Sequence, residues 1–270
     1  MARAGGVILT HGLVVHEPHH IWPILRVQYP SNGGNPHALA FVGTGFVVEG
    51  GYFITCWHCV SAPLNDGEAY VAVVKPPDLT TTPAGLLRLH NLAQDTNGTD
   101  LALARVATHV EPGLILARIQ ARQGENVATW GYPLVPPPQR RSDDNQLQFE
   151  LNPRFLRGYV TQTFLYDMPG SRPVPSIELD MPAPAGLSGA PLVRAGTPEV
   201  LGVIYGANDV ATIDGYVSVD TDTGQRRVEV QKLTQFGLAH WTETLWAARG
   251  PATGGLSLAT VHEQHVGPAR

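Results

Sequence analysis

Lysine is almost missing from this chain of 270 residues. It occurs only at Lys75 and Lys232, and arginine carries nearly all the positive charge. Charged residues reach only 15%, and the formal net charge is −5. Neither figure supports a basic surface, so no nucleic acid and no anionic membrane is expected as a partner. The pairs Arg140-Arg141 and Arg226-Arg227 read as solvated loop charges. Cysteine is confined to Cys56 and Cys59, which excludes a secreted fold stapled by several disulfides. No apolar run approaches the ~18 residues of a membrane-spanning helix. The start, Met1 to Val7, lacks the apolar core of a secretory signal. A cytoplasmic location is the expectation from these absences.

Helical periodicity is scarce too, which argues against a bundle. Strand-like runs take its place. The first set is Ile21 to Gln28, Ala38 to Val48, Tyr52 to Thr55, Ala69 to Lys75 and Leu101 to Val106. The second is Val127 to Tyr132, Gly158 to Phe164, Ser176 to Asp180, Pro191 to Arg194, Val200 to Tyr205 and Val228 to Val230. Many short strands at regular spacing predict an all-β protein, barrels or a sandwich, with residues 118–125 as the joint. Leu134 to Asn145, with three consecutive prolines, and Asp167 to Pro175 read as exposed, mobile loops. Gly237 to Ala248 places Leu238, Trp241, Leu245 and Trp246 at helical spacing and predicts one amphipathic helix. Residues 250–270 read as a flexible tail.

Three stretches carry chemistry. They are Ile54-Thr55-Cys56-Trp57-His58-Cys59, Thr99-Asp100-Leu101-Ala102-Leu103 and Gly186-Leu187-Ser188-Gly189-Ala190-Pro191. Serine is a poor nucleophile unless an imidazole takes its proton, and the imidazole needs a carboxylate to fix its tautomer. His58, Asp100 and Ser188 supply these groups. They occur in that order, 42 and 88 residues apart. Other triad orders are distinct: subtilisin runs Asp, His, Ser and the α/β-hydrolases run Ser, Asp, His. Glycines around Ser188 let backbone N–H groups converge, so those of Gly186 and Ser188 are the expected oxyanion hole. Singly, each stretch has a plain alternative: a turn, a structural histidine, a capping carboxylate. Their conjunction favours the triad. Cys56 and Cys59 form a C-x-x-C that brackets His58. With no second half of a metal site in view, they read as small buried thiols, and no cofactor or metal is expected. His16, His19 and His20 cluster near the start and read as a solvated loop.

Together with Gly43-Thr44-Gly45-Phe46-Val47-Val48 and Gly131-Tyr132-Pro133, these motifs give a resemblance. The chain resembles chymotrypsin-fold, trypsin-like serine peptidases, nearest the bacterial Deg/Htr-type branch, over about residues 20–235. The resemblance implies two six-stranded antiparallel β-barrels with a C-terminal α-helix, and an active site in the cleft between them. The implied division is an N-terminal segment 1–19, a first barrel 20–117 with His58 and Asp100, a second barrel 118–235 with Ser188, a helix 236–249 and a tail 250–270. It also implies a serine endopeptidase acting through an acyl-enzyme on a protein or peptide substrate.

The departures from the family are informative. Leu187 stands where digestive and clotting members carry the Asp that pairs with a newly cut N-terminus. That activation route is closed, so restraint must come from a regulatory protein partner, a disordered oxyanion loop or narrow specificity. Val42 stands where secreted members place a cysteine to pair with the one after the histidine. No PDZ-like domain is expected after residue 250. Pro182, six residues before Ser188, falls at the expected base of the primary pocket and gives no acid for a basic side chain. Asp180, Asp209 or Asp214 are the carboxylates a rearranged loop could bring in. Tyr205-Gly206-Ala207 is the expected edge for the substrate backbone. Two other readings use the same residues: a catalytically silent trypsin-fold binding module, and an esterase or other acyl hydrolase.

Overall fold

The computed structural model describes residues 7–8, 14–15, 19–74, 85–106, 114–133, 139–140, 147–148, 151–167, 173–221 and 224–266. Most of the two loops expected to be mobile lies outside the described residues, as do His16 and Lys75.

The first sheet contains β1 (Ile21–Gln28), β2 (His37–Val48), β3 (Tyr52–Cys56), β4 (Glu68–Val74), β5 (Gly85–Arg88), β6 (His90–Gln94) and β7 (Leu101–Arg105). Its order is β5-β4-β1-β2-β3-β7-β6. The two end strands, β5 and β6, are separated in sequence by Leu89 alone. A sheet whose two edges meet at one residue must curl back on itself, so β5 and β6 act as one bent stave and six staves result. Ile24, Phe46, Phe53, Ile54, Leu101 and Leu103 are fully buried in the adjoining core. Each such side chain contributes about 1.5–3 kcal/mol by leaving water.

The second sheet contains β8 (Ile115–Leu116), β9 (Asn126–Gly131), β10 (Arg154–Tyr166), β11 (Val174–Leu179), β12 (Pro191–Arg194), β13 (Glu199–Thr221) and β14 (Gly224–His240). Its order is β8-β13-β12-β9-β10-β11-β14, and β14 pairs again with β13. Six strands therefore close a ring, with β8 attached in parallel outside it. Val127, Ile177, Leu179, Leu187, Leu192 and Ile204 fill its core. The fold is the expected all-β, chymotrypsin-like one.

The C-terminal region departs from expectation. Residues 237–240 extend β14, because Leu238 pairs with Glu178 on one side and Gly206 on the other. Only Thr242–Ala247 forms the helix, α2. The segment read as a flexible tail holds a 3₁₀ turn, Pro251–Thr253, and a helix α3, Leu258–Val266. Leu258 and Val261 are buried, and His262 meets Trp246 edge to face with ring centroids 5.2 Å apart.

Hydrogen bonds between the two sheets fix the cleft. Thr44 Oγ1 on β2 donates to the Gly186 carbonyl at 2.8 Å, and Thr44 N donates to the Ser188 carbonyl at 2.9 Å. Cys56 Sγ donates to the Ile204 carbonyl at 3.3 Å.

Candidate active site

The register of the first sheet brings two of the expected residues together. Cys56, the last residue of β3, pairs with Leu101, the first of β7. The chain beyond Cys56 and the turn before Leu101 therefore leave the sheet at the same end. The short helix α1 (Trp57–Val60) carries His58 there, and the turn carries Asp100. Trp57 N–H donates to the Asp100 carbonyl at 3.1 Å. The His58 backbone N–H donates to Asp100 Oδ1 at 2.8 Å, and Nδ1 lies 2.7 Å from Oδ2. A carboxylate accepts only, so Nδ1 carries a proton in that bond. Nε2 is the ring nitrogen left outside this bond. The bond to Asp100, and after it a contact with the Cys59 sulfur, pushes the imidazole up to about 10. That bond therefore favours the protonated ring over the neutral one.

Ser188 comes from the second sheet, in the loop before β12. Its carbonyl is held by Thr44 N–H and lies 3.7 Å from Cys59 Sγ, next to the His58 helix. Its hydroxyl is turned toward the Tyr205 carbonyl at 3.5 Å. The loop around it is shaped by glycine. Gly189 has φ +87°, and a Cβ there would stand 1.9 Å from the Thr44 carbonyl oxygen. Gly186 has φ +93°. The Leu187 N–H is tied to the Pro184 carbonyl at 3.1 Å and the Gly189 N–H to the Ile204 carbonyl at 2.8 Å. Among the described residues, neither the Gly186 nor the Ser188 N–H has a protein acceptor. Leu187 is fully buried in the second core.

Two residues to which the sequence reading gave no role belong to this neighbourhood: Thr44, inside the Gly43-Thr44-Gly45 motif, and His240. Thr44 is fully buried, and its hydroxyl accepts from Tyr132 N–H at 3.1 Å while donating to Gly186. His240, at the end of β14, is 1% exposed and stacks on Tyr205 with ring centroids 4.5 Å apart. Only their place in the fold identifies them, since threonine and histidine at strand positions give no sequence signal. Cys56, Asp100 and His240 offer a sulfur, a carboxylate oxygen and a ring nitrogen within 4.8 Å of one another. These are zinc-type donors in kind. Asp100, however, is engaged through both oxygens by His58, and burial holds the Cys56 thiol protonated by raising it well above its ordinary value.

A model of the trypsin-like peptidase domain matches residues 43–203. The chain belongs to the trypsin-like peptidase family. Two solved structures of the Rv3671c protease share this peptidase fold. The inactive form is 16% identical, with 90% of this chain and 89% of that chain covered and a TM-score of 0.51. The active form, from M. tuberculosis, is 17% identical, with 94% and 83% covered and a TM-score of 0.50. No curated protein matches the chain in sequence.

The remaining peptidase positions fall as follows. Pro182 is exposed, and the neighbouring Met181 carbonyl accepts the Gly237 N–H at 2.8 Å. Asp180 Oδ1 accepts the Tyr159 N–H at 2.6 Å, which keeps that carboxylate on β10. Asp209 is bonded to Gln235 at 3.0 Å and Asp214 lies farther out along β13. The structure brings none of the three to Ser188. Gly206 and Ala207 pair with β14 on one edge, while β12 pairs with β13 only as far as Val203. Among the described residues, no strand faces the other edge from Tyr205 onward. Among the described residues no helix is long and apolar enough to cross a membrane.

Proposed function

We propose that this trypsin-like peptidase is a serine endopeptidase with Ser188 as nucleophile, His58 as general base and Asp100 as the carboxylate that orients it. The observation that carries this is the pattern of N–H groups around Ser188. Those of Gly186 and Ser188 are unclaimed, whereas Leu187 between them is tied back. That is the arrangement an oxyanion requires, and one such donor is worth about 3 kcal/mol in a transition state.

The chemistry follows from the residues. A peptide adds as a strand to the open edge at Tyr205-Gly206-Ala207. The Ser188 hydroxyl turns from the Tyr205 carbonyl toward Nε2 of a neutral His58. Oγ attacks the scissile carbonyl as Nε2 takes its proton, and the oxyanion rests on the N–H groups of Gly186 and Ser188. Asp100 stabilises the imidazolium. His58 then gives the proton to the leaving amine, and an acyl-enzyme on Ser188 remains. Water, activated by the same imidazole, releases the acid product. No step asks for a metal or a cofactor. The free thiols of Cys56 and Cys59 are in keeping with a reducing, cytoplasmic setting.

The test is cleavage of a mixed peptide library. The wild-type protein should cut internal peptide bonds. Ser188→Ala and His58→Ala should not, while keeping the wild-type far-ultraviolet circular dichroism. Cleavage of esters with no peptide product would assign the same triad to an acyl hydrolase instead. Peptide cleavage by Ser188→Ala at the wild-type rate would remove the assignment.

A further inference from the structure

His240 takes no part in the steps above, yet it is a buried imidazole directly beside them. Neither ring nitrogen has a partner at full hydrogen-bond geometry, although the Asp100 backbone carbonyl faces the ring closely enough to raise its basicity, and the residue is 1% exposed. A neutral imidazole always has one N–H to donate, and buried donors in native proteins are nearly always paired. Among the described residues, the groups that face it are few. They are Asp100 and Cys56 within 4.8 Å, Tyr205 stacked on its ring, and His58 beyond Asp100. The Tyr205 hydroxyl is engaged with Ser176 Oγ at 2.7 Å, and the Cys56 thiol with the Ile204 carbonyl. A carboxylate offers about four acceptor positions. His58 uses two of those on Asp100, through its backbone N–H and Nδ1. Asp100 is thus the facing residue with acceptor capacity left: two positions on its carboxylate, and a backbone carbonyl that Trp57 N–H already engages.

We propose, resting on the triad assignment, that His240 is a positioning residue for Asp100, donating a third hydrogen bond to its carboxylate when substrate seats. Catalytic hydrogen bonds are often long before substrate binds and tighten in the complex. Burial lowers His240 to about 4, so it serves as a neutral donor at working pH. A neutral donor orients Asp100 without cancelling the charge that His58 needs. A cation in the same place would compete with His58 for that charge.

The test compares His240→Phe with His240→Asn and His240→Gln on one peptide substrate across pH. Phe keeps the stacking on Tyr205 and removes both nitrogens; the amides keep an N–H donor. Phe should lower kcat about tenfold with KM nearly unchanged, and should move the ascending limb of kcat to higher pH, because more of the carboxylate charge is left to His58. One of the two amides should recover most of kcat and return the limb. Loss of kcat with the limb unmoved and no recovery by either amide would show mere packing and overturn the role. So would a His240→Phe enzyme equal to wild type. The wild-type protein gives a reading that needs no variant. With a peptide boronate on Ser188, the nitrogen-15 spectrum should show one His240 N–H protected and hydrogen bonded; two unbonded nitrogens would overturn the proposal. Activity lost in EDTA and restored by zinc would place an ion on Cys56, Asp100 and His240, and would also overturn it. A wild-type protein that fails to react with a fluorophosphonate would instead remove the triad itself. Modified Ser188 with a silent His240 would remove only this inference.

Discussion

Thr44 shows how one hydroxyl can serve a site it never touches chemically. It gives its proton to the Gly186 carbonyl and takes one from Tyr132 N–H, and its own backbone N–H holds the Ser188 carbonyl. Thr44→Val keeps the shape and removes the hydroxyl that Gly186 and Tyr132 share. A lost buried hydrogen bond of this kind costs about 1–3 kcal/mol, and a misplaced oxyanion donor costs about 10²-fold in rate. The expected outcome is kcat/KM lower by about 10–100-fold, with a fall of a few degrees in melting temperature. Unchanged kcat/KM would mean that packing alone orders the loop. His58 carries a second consequence. A base works unprotonated, and the bond to Asp100 raises this one to about 10. Activity should therefore climb with pH well above neutrality. Asp100→Asn removes the main cause of the shift, so the limb should fall toward the ordinary histidine range while kcat drops about 10⁴-fold through the wrong tautomer. A profile already flat at pH 7 in the wild type would contradict this account of His58.

Among the elements, the β13–β14 ribbon is the one that the sequence concealed. Beyond Asn208 the two strands pair, among the described residues, only with each other, out to Thr221 and Gly224. Val217, Val219, Val228 and Val230 lie exposed along it. Alternation is there in Tyr216-Val217-Ser218-Val219 and in Val228-Glu229-Val230, but only the second was legible as a strand. Asp and Gly interrupt the first, and a ribbon with no buried face gives weak periodicity. Because its outer part packs on nothing else described, it should be dispensable to the fold. Deleting residues 212–232 and joining Ala211 to Leu233, which already face each other, through Asn-Gly should change the melting temperature by no more than about 3 °C. A larger drop would show that the ribbon supports the barrel. The bent stave β5–β6 was missed for a related reason: its residues 85–94 are half exposed and short. At the C-terminus, the spacing of Leu238, Trp241, Leu245 and Trp246 imitates a helix, but tertiary pairing of Leu238 with two strands overrode that local preference.

At the scale of the whole molecule, the all-β fold was legible in the many short strands, and the residues proposed for the triad stood out because chemistry restricts residue type and order. The parts played by Thr44, inside a motif but with no role attached, and by His240 were not legible, because they depend on what the opposite barrel brings against each. Leu187 was legible as a departure from the family, and its complete burial gives the departure a structural basis. The loop bearing Gly186 is ordered by an apolar anchor that needs no ammonium partner. A tag left on the N-terminus should accordingly leave kcat/KM unchanged relative to trimmed enzyme; a strict need for a free terminus would count against it. His240 also bears on stability. Its folded value, about 4, lies below the unfolded 6.5, so the native state binds fewer protons between them and stability falls as pH drops through that window. The contribution is on the order of 3 kcal/mol, and His240→Phe should flatten that part of a urea-denaturation series. The central claim is that Ser188 is an activated nucleophile, and intact mass measurement after reaction with a fluorophosphonate tests it most directly. The account predicts one adduct per chain, mapped to Ser188, absent from Ser188→Ala and from His58→Ala. No adduct on folded wild-type protein, or an equal adduct on Ser188→Ala, would contradict it.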